Sequence, residues 1–283
     1  MKYLHEIKSR PPGLNSNCEV RLNAVLTAFN CTSQFELRPG GRALISCRYF
    51  ILYIPTVYAS LCSPGSSCAE HFFRGRRKDG LYTISPTPGN GFSKIHGQVI
   101  PPLRVWCDMR GSNGGWLVFQ KRTNKSVNFF RNWISYKQGF GQYGHDFWLG
   151  NRDLRAITKS NEHVLHIELH YSNGSHVFAE YDQFSVSPRN FTLRVGQYQG
   201  NWSDILFFAN NSAFSTWDRD NDKVLEACAQ QNNGAWWYGT TCDMVDLNSM
   251  PEDIWSLDVK KTVMKIKPKQ YEGNSISPLL WPS

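Results

Sequence analysis

Residues 214–242 read FSTWDRDNDKVLEACAQQNNGAWWYGTTC, and no other stretch limits so tightly what this chain can fold into. It holds three aspartates at alternate positions, Asp218, Asp220 and Asp222, two cysteines, Cys228 and Cys242, and adjacent Trp236 and Trp237 behind Gly234. On an extended strand residues two apart face the same way about 6.6 Å apart, so alternate carboxylates converge only where the backbone curls into a loop. Such a loop suits a hard cation, calcium before magnesium. The competing reading is a solvated acidic turn. An EF-hand is excluded, because counting from Asp218 the sixth position is Lys223 where glycine is required and the twelfth is Ala229 where a glutamate is required. The pair Cys228 and Cys242, if bonded, closes a loop of about 14 residues worth roughly 3 kcal/mol and holds the aromatics of 234–238 beside the carboxylates. Trp236 and Trp237 alternate on an extended chain, which sends one into the core and leaves the other to line a pocket; the rival reading buries both.

The compartment follows from two further signals. Eight cysteines and six N-glycosylation sequons, at Asn30, Asn124, Asn173, Asn190, Asn201 and Asn210, point to a secreted, extracellular protein. A length of 283 residues allows one or two domains, and one of about 200 residues buries a sizeable core. The net charge of +8 is scattered among acids, apart from RGRRK at 74–78, which reads as an exposed basic turn. That pattern gives no nucleic-acid footprint.

The first 13 residues are polar and lack the apolar core of a secretory signal. The nearest candidate is internal: ALISCRYFILYIPTVYASLC at 43–62 follows Arg38 and Arg42 and reads as a signal or anchor segment. As a membrane span it is poor, since Arg48 is costly in lipid and Pro55 cuts the apolar run, and buried or irregular structure is the remaining reading. SPGSS at 63–67 has linker composition, so residues 1–67 form a poorly ordered N-terminal extension. The pairing of its Cys18, Cys31, Cys47 and Cys62 is open. Residues 270–283 form a tail.

Between these ends the pattern is that of an α+β domain with a twisted antiparallel sheet. Strands are expected at 81–84 and 116–120, the second after a Gly114-Gly115 turn. Leu165, Ile167 and Leu169 point one way, Asn173-Gly174 turns, and Val177, Ala179 and Tyr181 return. Further strands are expected at 191–195 and 262–267. Asn132 caps a helix through WISYKQ ended by Gly139, and Asn151 caps another through RDLRAIT. No internal repeat or heptad run is present to drive oligomerisation, although a homo-oligomer remains open.

Catalytic signatures are absent: the sequence has no G-x-S-x-G, H-E-x-x-H, P-loop or dinucleotide fingerprint. His163, His166 and His170 invite a zinc reading, but on a strand His166 and His170 stand about 13 Å apart and cannot share an ion. Asp146 with Glu168 or Glu180 has no fixed spacing that would make an acid pair. The chain is therefore not expected to be an enzyme.

Across residues 68–269 the ordered blocks CAEHFFRGRRKDGLYTISP, VWCDM, GGWLVFQKR, SVNFFRNWISYKQGFG, FWLGN, FSTWDRDNDK, CAQQNNGAWWY and MKIKP resemble the fibrinogen C-terminal-like domain of ficolins, tachylectins, angiopoietins and tenascins. The resemblance implies disulfides Cys68–Cys107 and Cys228–Cys242, and a loop-rich subdomain binding Ca2+ through the carboxylates of Asp220 and Asp222 and the carbonyls of Val224 and Glu226, with Asp218 supporting the loop. It implies a ligand face at Trp237, Tyr238, Thr241, Cys242 and Asp243, with a cis peptide at Thr240–Thr241 or Thr241–Cys242. The implied function is calcium-dependent recognition of glycans or N-acetyl groups, of the lectin-like innate-immune kind. The alternative is a receptor ligand or matrix protein that uses the same face. Departures concentrate there: three residues, Gly239, Thr240 and Thr241, stand where the family has two, Asp243 replaces a histidine, Leu247-Asn248-Ser249 replaces LNG, and 249–255 replaces a longer loop with pocket aromatics.

Overall fold

The computed structural model describes residues 65–86, 93–95, 98–100, 102–110, 113–123, 126–159, 161–243, 245–249 and 258–271, together with three short strands before them. Two compact units are distinguished, residues 1–64 with 89–91 and residues 65–88 with 92–283. In the first, β1 (Glu36–Arg38), β2 (Arg42–Ser46) and β3 (Ile51–Tyr53) pair antiparallel in that order. The described parts of the apolar 43–62 stretch are thus strands, and among the described residues no helix is long and apolar enough to cross a membrane. Cys18, Cys31, Cys47 and Cys62, and the sequons at Asn30 and Asn124, lie outside the described residues, as does the tail from 272.

The second unit is organised by one long hairpin. Strand β11 (His163–Tyr171) and strand β12 (His176–Val186) pair through the expected turn, where Gly174 has φ +87°. Leu165, Ile167, Leu169, Ala179 and Tyr181 are buried on the core face as their alternation requires. On β11's other side lies β15 (Val259–Pro268), which also pairs with β8 (Trp116–Arg122). The last strand in sequence therefore sits in the middle of the sheet. Strands β4 (Gly80–Ile84) and β7 (Leu103–Asp108) extend it beyond β8, as do β10 (Phe147–Trp148) and β9 (Phe140–Gly141). On the far edge β13 (Leu193–Val195) pairs with the C-terminal end of β12 and β14 (Tyr198–Gly200) with its middle, Ala179–Tyr181. Strands β5 (Ser93–Ile95) and β6 (Gln98–Ile100) form a separate pair.

Four α-helices are described. Helix α1 (Cys68–Phe73) begins at Ser67, whose side chain accepts from the Glu70 amide. Gly65 bridges to Ile84 and its carbonyl accepts from the Ser85 amide. Residues 65–67, expected as linker, are therefore hydrogen-bonded into the domain. Helix α2 (Trp133–Gln138) is capped by Asn132 as expected, and Gly139 ends it at φ +91°, where a Cβ would meet the Leu149 carbonyl oxygen at 2.3 Å. Helix α3 (Asn151–Thr158) corrects the expected cap. Gly150 occupies that position, while Asn151 is the first helical residue and its Oδ1 accepts from the Trp148 indole. Helix α4 (Cys228–Gln231) is a single turn inside the 214–242 stretch.

The histidines are explained by cross-strand neighbours. His163 is buried, donates from Nδ1 to the Asn161 carbonyl, and burial lowers its pKa to about 4. His166 lies 2.8 Å from Glu180 and 3.3 Å from Glu168, and Glu168 also meets His170 and the buried Lys265.

Candidate functional site

The 214–242 stretch is anchored at its start by aromatic packing. Phe214 is fully buried with its ring 5.1 Å from Tyr136, 6.0 Å from Trp148 and 5.1 Å from Trp237. Ser215 donates its amide to the Trp236 carbonyl, so the two ends of the stretch run side by side. Asn221 locks the bend between them: its Nδ2 donates to the Phe214 carbonyl at 2.8 Å and its amide donates to Ser215 Oγ at 2.9 Å.

Within this frame the carboxylates curl as a loop requires. The Asp222 amide donates to Asp220 Oδ1 at 3.0 Å, and Asp222 accepts from the amides of Val224 at 3.0 Å and Cys228 at 3.3 Å. Burial first, and then the neighbouring Asp220 carboxylate, raises the Asp222 pKa against the pull of those amides. Asp220 and Asp222 are thus neighbours in one loop, the half-buried Asp222 disfavoured as an anion; among the described residues no group of three or more His, Cys, Asp or Glu side chains gathers as a metal centre. Asp218 points elsewhere: its Oδ1 accepts from Thr216 Oγ1 and from the Trp133 amide, both at 2.8 Å, tying the loop to the start of α2.

The two disulfides form as the resemblance implies, Cys68–Cys107 and Cys228–Cys242, the latter with Cα atoms 4.9 Å apart. The aromatic shelf departs from expectation. Trp236 and Trp237 are both wholly buried, and Tyr238 is 1% exposed. The alternation argument fails because this segment is flanked on both sides, with Trp237 Nε1 donating to the Phe191 carbonyl and Tyr238 hydroxyl donating to Asp246. Cys242 is buried too, leaving Thr241 half-buried and Asp243 exposed. Among the described residues no peptide bond is cis, so neither Thr240–Thr241 nor Thr241–Cys242 has the expected form.

A buried polar network beneath the shelf is what the sequence reading missed. A bulge at Phe119 shifts the pairing of β8 with β15, turning Gln120 and Arg122 inward. Arg122 donates to the carbonyls of Leu247 at 3.0 Å and Ser249 at 2.6 Å, and Gln120 donates to that of Leu247 at 3.1 Å. Asp246 accepts from Tyr238 at 2.6 Å and from the Asn248 amide at 2.7 Å; burial, opposed by these bonds and the Arg122 charge, raises its pKa to about 6. Gly234 is required here, since a Cβ would lie 2.1 Å from Asp246 Oδ2. Residues 246–249, the entry to the altered loop, are thus fixed to the sheet; 250–257 and Met244 lie outside the described residues. Two polar residues at neighbouring even positions of an apolar strand were the available signal.

The exposed surface by the loop is partly apolar. Trp217 is 42% exposed with its ring 6.3 Å from Phe130, Ile134 on α2 is 58% exposed, and Leu225 is fully exposed. Arg219 lies over Trp133 at 4.2 Å.

Residues 64–269 match the family model described as fibrinogen beta and gamma chains, C-terminal globular domain. The chain belongs to this family. Human angiopoietin-related protein 1 is 37% identical over 187 residues, covering 65% of this chain and 36% of that protein. Human tenascin-R is 38% identical over 183 residues, covering 64% and 13%, and ryncolin-4 of Cerberus rynchops is 43% identical over 187 residues, covering 65% and 51%. The chain thus spans about half or less of the curated relatives' length. The fibrinogen-like globe domain of human ANGPTL2 superposes with a TM-score of 0.61 at 30% identity, covering 73% of this chain and all of that one. The fibrinogen-like fold expected from the sequence is therefore present, mostly antiparallel sheet with few helices. The family is one of non-enzymatic ligand, lectin and matrix proteins, and these relatives are secreted or extracellular.

Proposed function

We propose that this fibrinogen-like domain is a calcium-stabilised extracellular recognition module that engages a protein partner through the face formed by the 214–226 loop and the start of α2. The observation that carries the reading is the burial of Trp237 and Tyr238 beside the exposed Trp217 and Ile134. The aromatics that would line a sugar pocket are in the core, and those available to a partner stand on an open surface, the arrangement of interface anchors rather than of an enclosed ligand site. Asp220 and Asp222 would hold Ca2+ with the carbonyls of Val224 and Glu226, and the ion would neutralise two like charges and stiffen the loop that presents Trp217. Relatives named as angiopoietin-related protein and tenascin support this class of function.

Recognition of glycans or N-acetyl groups is the second reading, supported by the 43% identity to ryncolin-4 and by Thr241 and Asp243 at the surface. N-acetylated resin in saturating calcium separates the two. The first reading predicts passage without retention; retention with elution by free acetate favours the second. A Trp217→Ala variant is expected to keep its melting temperature and to lose binding to any extracellular receptor domain that captures the parent.

A further inference from the structure

Of the four described sequons of the sheet domain, Asn173, Asn201 and Asn210 differ in what their side-chain amides are doing, while Asn190 is half-buried with its Oδ1 accepting from Arg219 at 3.0 Å. Asn173 sits at the tip of the β11–β12 hairpin, where residues 172–176 are all exposed. Its Oδ1 accepts from the amide of Ser175 at 2.8 Å and the hydroxyl of Ser175 at 2.7 Å, while Nδ2 has no protein partner among the described residues. Asn201 is exposed, its Oδ1 accepts from the Phe178 amide at 2.8 Å, and its Nδ2 likewise has none. Asn210 is half-buried and clamped on both sides: Oδ1 accepts from the Val195 amide and Nδ2 donates to the Val195 carbonyl, each at 3.2 Å. Its sequon serine, Ser212, is 4% exposed.

The sheet separates these positions. Asn201 bonds to β12 at Phe178, near the hairpin tip, whereas Val195 pairs with Phe184. Phe178 and Phe184 are six residue steps apart along the strand, about 20 Å. The Phe184 end is also the end of the recognition loop, since the Phe214 amide donates to the Asn190 carbonyl and Trp237 to that of Phe191.

The geometry assigns N-glycans to Asn173 and Asn201 at the hairpin end of the sheet and none to Asn210; the sequon at Asn190, at the loop end, has only its Oδ1 engaged, by Arg219, and is not part of the assignment. In the transfer, Asn Nδ2 forms a bond to the anomeric carbon of an oligosaccharide, losing a proton, while a polyisoprenyl pyrophosphate leaves as the group that carried it. Transfer precedes folding, so the fold acts as a filter: a glycan on Asn210 replaces an Nδ2 hydrogen in the Val195 clamp with a bulky polar group and blocks β13 from docking. The same modification on Asn173 or Asn201 displaces nothing.

The test is the full chain secreted from a eukaryotic cell line, digested with peptide N-glycosidase in heavy-oxygen water and mapped by mass spectrometry. Asn173 and Asn201 should be converted to labelled aspartate and Asn210 should not. Ser175→Ala and Ser203→Ala should each remove one glycan's step in gel mobility, and Ser212→Ala should remove none. Labelled Asp at 210, loss of a step in Ser212→Ala, or no label at either 173 or 201 overturns the assignment. None of these readouts depends on calcium or on a partner, so their failure leaves the recognition reading to its own test.

Discussion

Replacing Asp246 by asparagine tests whether the buried network under the aromatic shelf is held together by a carboxyl rather than a carboxylate. The group is 2% exposed, accepts from Tyr238 and from the Asn248 amide, and has a pKa raised to about 6. An unfolded aspartate titrates near 3.9. Because the folded value is the higher one, the contribution to stability is complete below about pH 4 and is lost as pH rises through about 6. A difference of about two pH units corresponds to about 3 kcal/mol. Asp246→Asn cannot titrate, so urea unfolding of parent and variant in chelator, at steps from pH 4 to 7.5, isolates this group. The parent should lose about 3 kcal/mol relative to the variant across that range. A difference that stays flat with pH, or grows in the parent's favour, refutes the argument that burial outweighs the bonds from Tyr238 and Asn248.

Gly234→Ala should destabilise by about 1–3 kcal/mol, because the new Cβ meets a carboxylate that its own hydrogen bonds prevent from moving; chemical denaturation measures it, and a neutral result would show that residues 246–249 are free to shift. Replacing Cys228 and Cys242 together by serine should cost roughly 3 kcal/mol through the unfolded chain alone. The melting temperature in chelator reads that cost, and an unchanged value would show that the core aromatics by themselves fix the segment.

The sheet was legible where burial follows a local period. Leu165 to Leu169 and Val177 to Tyr181 alternate cleanly, and a short turn through Asn173-Gly174 joins them, so both strands and the hairpin follow from neighbours in sequence. What decides that β15 lies between β11 and β8 is pairing between segments far apart in sequence, which no local pattern encodes. The same limit hid the site's support. Gln120 and Arg122 are buried by a bulge and Asp246 by Arg122 and Tyr238, neighbours distant in sequence that no local pattern announces. Trp236 and Trp237 mislead for a related reason, since alternation assigns one of two faces to solvent only when one face is open. Asn151 failed as a cap because Gly150, at φ +111°, makes the turn into α3 that a side-chain cap would otherwise direct. The aspartate loop was readable because Asx-type bonds between residues two apart, Asp220 to Asp222 and Asp222 to Val224, are themselves local.

The central claim is that Asp220 and Asp222 bind calcium and so set the recognition face, and differential scanning of the folded chain with and without the ion tests it most directly. At a calcium concentration about a hundredfold above its dissociation constant the gain is about 2.7 kcal/mol, which for a domain of this size raises the melting temperature by about 5–10 °C. Asp220→Ala and Asp222→Ala should each remove most of that rise while leaving the melt in chelator within a few degrees of the parent. Equal melting temperatures in calcium and in chelator, or a rise that survives both substitutions, would contradict the account.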